Sequence, residues 1–366
     1  MPINPEDLVK QIEAQSERLL KDGEKLRDNI EEALALYRKS TAYELNEAAT
    51  QQTRKDITTA RPVTPPNEIV AVSPAVGEYC VVATDSSPIP PDRHNGTSLY
   101  YVINVGKVML RYGPNSAAEI DSLTFFEAGD VASEEQETMA ASLLDTRSAL
   151  EELKVAFEMA REHKATVVFR DGPLTLWRSI NLRGQKGTAL RNEYYQVLGQ
   201  FQEEGIPVIG YISNTHSDSV VDTLRALAYN QNSPARFAGV QDAMLFRQLL
   251  PENCRGPIFG TVLNEPKELQ EHIGDIYFTY LHTPFEMVRL EFPQWLENDP
   301  QKLATSLAIV QKQSELGQGY PVALMEAHES AVLRGGDREL LRILLEERGL
   351  LQTESEKGRS KRLRGI

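Results

Sequence analysis

Hydrophobic positions along this chain fall into short β-branched runs separated by longer stretches with helical spacing. Around Asp85 the chain reads EYCVVATDSSPIPP, and around Asp171 it reads KATVVFRDGPLTLW. Each run stops at an aspartate followed by small or turn-forming residues, which predicts two strands with a carboxylate at the carboxyl end of each. SLYYVIN and KVMLRYG flank Val105 and Gly106, where a glycine permits a hairpin turn, so three early strands are expected. From Ser133 to His163 the spacing becomes helical, with Leu143, Leu150, Leu153, Phe157 and Ala160 on one face. A helix over Asn192–Glu204, a strand at VIGYIS and a helix over Ser217–Tyr229 continue the alternation of an α/β sheet. Strands are predicted at Asp275–His282 and Met287–Phe292, with a long helix from about Pro321 and another from Gly336.

The start of the chain differs. Residues 5–48 read as one helix, with Leu8, Ile12, Leu19, Leu26, Ile30 and Leu34 forming an imperfect apolar stripe on a charged background. Such a stripe needs a partner surface. RPVTPPNEIVAVSP, from Arg61 to Pro74, is rich in proline and reads as a linker. The expected organisation is a helical extension over 1–60 for dimer or partner contact, a linker over 61–75, an α/β domain over 76–350, and a basic, disordered tail over 351–366.

Composition narrows the class. With 366 residues and 41% hydrophobic content the chain can bury a large core. No stretch approaches the ~18 apolar residues of a membrane span, and the N-terminus lacks a signal-peptide pattern, so a cytoplasmic protein is expected. Cys80 and Cys254 support neither a disulfide framework nor a thiolate metal cage. The six histidines lack zinc spacing, and GKVMLRYG lacks the glycines of a phosphate loop. The net charge of −14 argues against tight, autonomous binding to nucleic acid, but not against an acidic site neutralised by divalent ions or a substrate delivered by a partner.

The candidate chemistry lies in the order of the acids: Asp85 ending a strand, Glu151 on the long helix, Asp171 ending the next strand. Singly, an aspartate before Ser or Gly is a turn or cap residue, and a helix glutamate is solvated. Jointly, the order matches the β-β-β-α-β opening of ribonuclease-H-like folds. Phosphodiester cleavage needs charge neutralisation on the attacking water and the leaving oxygen, which two divalent ions about 3.5–4 Å apart supply, and hard oxygen ligands suit Mg²⁺ or Mn²⁺. Tyr320 and His328 are further candidates; an imidazole ligates Mn²⁺ or orients a water. Arg289 is a candidate phosphate contact, with a salt bridge to Glu291 as the competing reading.

TDSS, FRDGPL, VRLEFPQW and GYPVALMEAHESAV together resemble the successive motifs of the NurA family, from about Tyr79 to Leu341. The resemblance implies a ribonuclease-H-like core, a homodimer, Mn²⁺-dependent cleavage of DNA, and work with the hexameric ATPase HerA in processing DNA double-strand ends. By matching motif it implies Asp85, a helix glutamate (Glu151 or its neighbour Glu152) and Asp171 as metal ligands. Tyr320 and His328 match the family's late tyrosine and histidine. Three positions depart from the family pattern. Ser86 and Pro173 stand where a glycine and a serine are usual, and Asn214 stands where a lysine is common. Those departures, with the acidic charge, leave a rival: a catalytically weak scaffold that docks on an ATPase and regulates it. The helix pattern does not choose between Glu151 and Glu152; the family's helix motif favours Glu151, with a surface pair to Arg147 as its competing role.

Overall fold

The computed structural model describes residues 4–52, 58–90, 99–129, 137–177, 179, 182, 184–229, 237–262 and 276–350; the expected tail over 351–366 lies outside them. In place of one N-terminal helix there are two. Helix α1 (Pro5–Lys39) is capped by Asn4 and ends at Ser40, and α2 (Ala42–Gln51) restarts at once because Thr41 and Glu44 form a reciprocal capping box. Strands β1 (Thr59–Pro62), β2 (Val70–Ala71), β3 (Tyr79–Ile89), β4 (Leu99–Tyr112) and β5 (Ala117–Gly129) follow. Next come α3 (Glu137–His163), β6 (Val167–Asp171), α4 (Gly184–Glu203), β7 (Val208–Ile212), α5 (Ser219–Ala228) and α6 (Asp242–Leu249). The chain continues through β8 (Cys254–Arg255), β9 (Phe259–Val262), β10 (Ile276–His282), β11 (Met287–Pro293), α7 (Pro300–Leu316), α8 (Val322–Ala331) and α9 (Gly335–Glu347). None of the described helices is long and apolar enough to cross a membrane.

The chain divides into two compact units, Met1–Ser73 with Ile212–Gln294, and Pro74–Tyr211 with Trp295–Ile366. The division differs from an appended helical extension followed by a linker. In the first unit, β1, β9, β10 and β11 form an antiparallel sheet, and the β2–β8 pair joins it at β10. Arg61 and Pro62 are therefore strand residues. Proline is tolerated there because β1 is an edge strand. Leu34, Tyr37 and Leu45 bury against Phe246, Phe259, Phe278 and Tyr280, with Leu26 and Ile30 packed at the margin. Leu8, Ile12 and Leu19 on the same stripe are 45%, 54% and 63% exposed, so only the second half of α1 serves this core.

The second unit carries the sheet order β7-β6-β3-β4-β5, with β3, β6 and β7 parallel and β4 antiparallel to both neighbours. This is the mixed sheet of a ribonuclease-H-like fold, opening β-β-β-α-β. Val81, Val82, Val167, Val168 and Phe169 are fully buried, as β-branched runs in a sheet covered on both faces should be. Gly106 makes no turn. It lies inside β4, paired with Asp85, and the connection to β5 comes after Tyr112. Its missing side chain serves close approach: a Cβ there would lie 2.2 Å from the Ala327 carbonyl and 2.5 Å from Ser330 Oγ, so α8 seats on the sheet at this glycine. Asn104 holds the far end of α8 by donating to the Ala331 carbonyl at 3.0 Å, and Gln313 accepts from the Ala323 N–H at 3.1 Å at its start.

Candidate active site

Strands β3 and β6 are paired as far as Thr84 and Arg170, so Asp85 and Asp171 lie on neighbouring parallel strands one residue past the same rung; Asp171 ends β6, whereas the strand expected to end at Asp85 runs on to Ile89 because β4 pairs with it along its whole length. Alternation then sorts their neighbours. Thr84 donates to the Glu152 carbonyl of α3 and Ser86 donates to the Glu152 carboxylate, so both face α3. Asp85 faces α8, where its Oδ2 lies 2.8 Å from His328 Nδ1, while its Oδ1 accepts from the Ser86 N–H at 2.8 Å. Asp171 is hydrogen-bonded by Tyr320, whose ring meets that of Tyr211 edge-on at 5.3 Å.

The structure separates the two helix glutamates. Both are buried, each 5% exposed, so burial does not distinguish them; their partners do. Glu151 pairs with Arg147 at 3.1 Å and Lys154 at 3.5 Å, in a network that includes an Arg147–Glu127 bridge of 2.7 Å and a Lys154–Glu193 bridge of 2.6 Å. Glu152 turns to the strands. It takes Ser86 Oγ on one oxygen and Arg170 Nε at 3.1 Å on the other, and its charge is felt together with those of Asp85 and Asp171. Of the two glutamates it is Glu152, not the favoured Glu151, that faces the strands, because the ~100° between successive helix positions turns only one of them toward Ser86 and Arg170. The local pair with Arg147 that competed for Glu151 is the one that forms.

Electrostatics mark the same cluster. Burial pushes the Glu152 carboxyl up to about 7; Arg170 and the Ser86 bond hold it down, while Asp85 and Asp171 press it higher. Burial also raises Asp171, with Asp85 adding to the shift and Tyr320, Arg170 and His328 opposing it. Burial, and then Asp171 and Asp85, hold the Tyr320 hydroxyl firmly protonated. Burial disfavours the Arg170 charge, but Glu152 leads the carboxylates that outweigh it. Carboxylates crowded with one arginine among them form a site short of positive charge.

Arg289 lies in the first unit. It is 4% exposed, bridges Glu291 at 2.9 Å and stacks 3.5 Å from the Phe278 ring centre, so the salt bridge that competed with a phosphate contact is the one that forms. Ser86 and Arg170 are the residues that sequence reasoning missed. The available signal was strand alternation, which turns the immediate neighbours of both aspartates to the α3 face.

A family model for the NurA domain matches residues 80–333. The crystal structure of the NurA nuclease from Sulfolobus solfataricus superposes with a TM-score of 0.52 at 14% identity, covering 94% of this chain and 97% of that one. A crystal structure of NurA with manganese aligns with a TM-score of 0.41 at 12% identity, over 91% of this chain and 98% of that one. No curated protein sequence matches the chain. The structural likeness shows a shared fold, and the family-model match spans well over half of the sequence: the chain belongs to the NurA family of nucleases.

Proposed function

We propose that this protein is a divalent-metal-dependent DNA nuclease that hydrolyses phosphodiester bonds at double-strand breaks as part of end processing. The observation that carries the reading is the placement of Asp85, inside β3, and Asp171, at the end of β6, one residue past the last shared rung of these adjacent parallel strands, with His328 2.8 Å from Asp85, Tyr320 on Asp171 and the charge of Glu152 within reach of both. Carboxylate oxygens with one imidazole suit Mn²⁺ or Mg²⁺, and crowded carboxylates favour a cation among them. Two bound ions would supply charge neutralisation at the attacking and leaving oxygens. Asp85, Asp171 and Glu152 hold that charge. Tyr320 steadies Asp171 by donating to it. With Nδ1–H directed at Asp85, His328 turns Nε2 to the solvent side, as a ligand or to align a water.

A homodimer, a HerA-type hexameric ATPase as partner and a cytoplasmic setting accompany this reading on the ground of family membership. One observation favours the scaffold alternative: among the described residues no three His, Cys, Asp or Glu side chains stand close enough to hold an ion as they are. Like charges hold the carboxylates apart, and each Glu152 oxygen keeps a second lone pair beside its bond to Ser86 or Arg170. Incubation of labelled DNA with the protein in Mn²⁺, Mg²⁺ or chelator, with and without a HerA-type ATPase, separates the two. Cleavage confined to the metal-containing reactions supports the nuclease; none under any condition leaves the scaffold.

A further inference from the structure

We propose that Ser86 and Arg170 are positioning residues that clamp the Glu152 carboxylate, one to each oxygen, and so set it against the two aspartates. The inference rests on the metal-dependent reading above.

A glutamate side chain turns about several bonds, and a buried carboxylate without donors is costly, so its place is decided by what bonds to it. Ser86 Oγ donates to Glu152 Oε1, and Arg170 Nε donates to Oε2 at 3.1 Å. A second arm of the same guanidinium, Nη1, donates to the Pro173 carbonyl in the turn that follows Asp171. One planar group therefore ties α3 to the exit of β6. Only a fork does both at fixed geometry; a lysine ammonium is a point charge on a flexible stem.

Ser86 follows Asp85 and Arg170 precedes Asp171. The two strands that present the aspartates thus also present the clamp, on the opposite face. Glu151 is the internal contrast: Arg147 and Lys154, its partners, lie on its own helix and tie it to neither strand. Residues that orient ligands in this way typically carry a 10–100-fold share of metal affinity.

The test uses the full chain, Mn²⁺ alone as probe, and calorimetry, with a metal-free melting curve to show that each variant is folded. Arg170→Lys is expected to weaken Mn²⁺ binding by about tenfold, and Ser86→Gly by less. Neither should weaken it further in a Glu152→Gln background, because both act through that carboxylate. Equal affinity in wild type and both variants overturns the clamp, as does a loss of the same size with Glu152 already replaced. If Arg170→Lys fails to fold, Ser86→Gly carries the same comparison. A wild-type protein that binds no Mn²⁺ overturns the metal-dependent reading and this inference together; a binding wild type with unchanged variants overturns the inference alone.

Discussion

Each unit of this protein buries carboxylates beside an arginine, and the two clusters are completed differently. In the first unit Asp242, fully buried, accepts from the N–H groups of Val220 and Val221, from Tyr280 at 2.8 Å, and from Ser219 and Ser217 at 3.2 and 3.3 Å. Arg289 is spent on Glu291 and the Phe278 ring. Both Asp242 oxygens meet donors, and the network fastens the start of α5 to the sheet. In the second unit Asp85 and Asp171 add to the raised proton affinity of the buried Glu152, and Asp85 adds to that of Asp171, with Arg170 as the buried cation among them. A completed polar network holds a fold together, whereas a cluster left with excess negative charge is equipped to take a cation.

The largest expected contrast comes from two single changes. Asp171→Asn keeps shape but removes ligand charge, so DNA cleavage should fall by at least about a hundredfold while the melting temperature hardly moves. Asp242→Ala should do the opposite, lowering stability by about 3–5 kcal/mol through stranded buried donors and an altered charge balance around Arg289, as measured by urea unfolding. Equal loss of stability in the two variants would erase the distinction.

Next in size is the pair on α3. Glu152→Gln should remove most Mn²⁺-dependent cleavage, whereas Glu151→Gln should retain it and show only the modest destabilisation of a disturbed ion-pair network. The reverse ranking would return the helix acid to Glu151. A smaller effect is expected from Gly106→Ala. A methyl group there meets the backbone of α8, so overpacking should cost about 1–3 kcal/mol in thermal or urea unfolding. The accompanying shift of His328 from Asp85 should lower cleavage more than substrate affinity, a split that steady-state kinetics reads.

The smallest prediction concerns pH in metal-free protein. The Glu152 carboxyl is raised to about 7 in the folded state from an ordinary 4.5, so its contribution is fully present below about pH 4.5 and is lost as pH rises through about 7. Glu152→Gln should flatten that part of the stability profile, measured by urea unfolding from pH 5 to 8. An unchanged profile would show that Glu152 titrates no differently when folded.

Much of the second unit was legible in the sequence because its signals are local. The β-branched runs leading to Asp85 and Asp171 and the periodic helix between them follow from short-range pattern, and the strands they predict are neighbours in the sheet, although β3 runs four residues past Asp85, to Ile89, where its pairing with β4 carries it. The turn at Gly106 failed because a glycine that admits a neighbouring helix looks the same in sequence as one that reverses the chain; only the seat of α8 tells them apart. The choice between Glu151 and Glu152 was not legible for a related reason. Both lie within a buried stretch of α3, and what separates them is Ser86 and Arg170, contacts distant in sequence. The linker over 61–75 was misread because the edge position that tolerates Pro62 is a property of the assembled sheet.

The claim on which the rest depends is that the second unit's carboxylates bind a divalent ion, and calorimetric titration of Mn²⁺ into wild type and the double variant Asp85→Asn/Asp171→Asn tests it directly. Saturable binding by the wild type and none by the folded double variant is the predicted result. Identical titrations for the two proteins would contradict it.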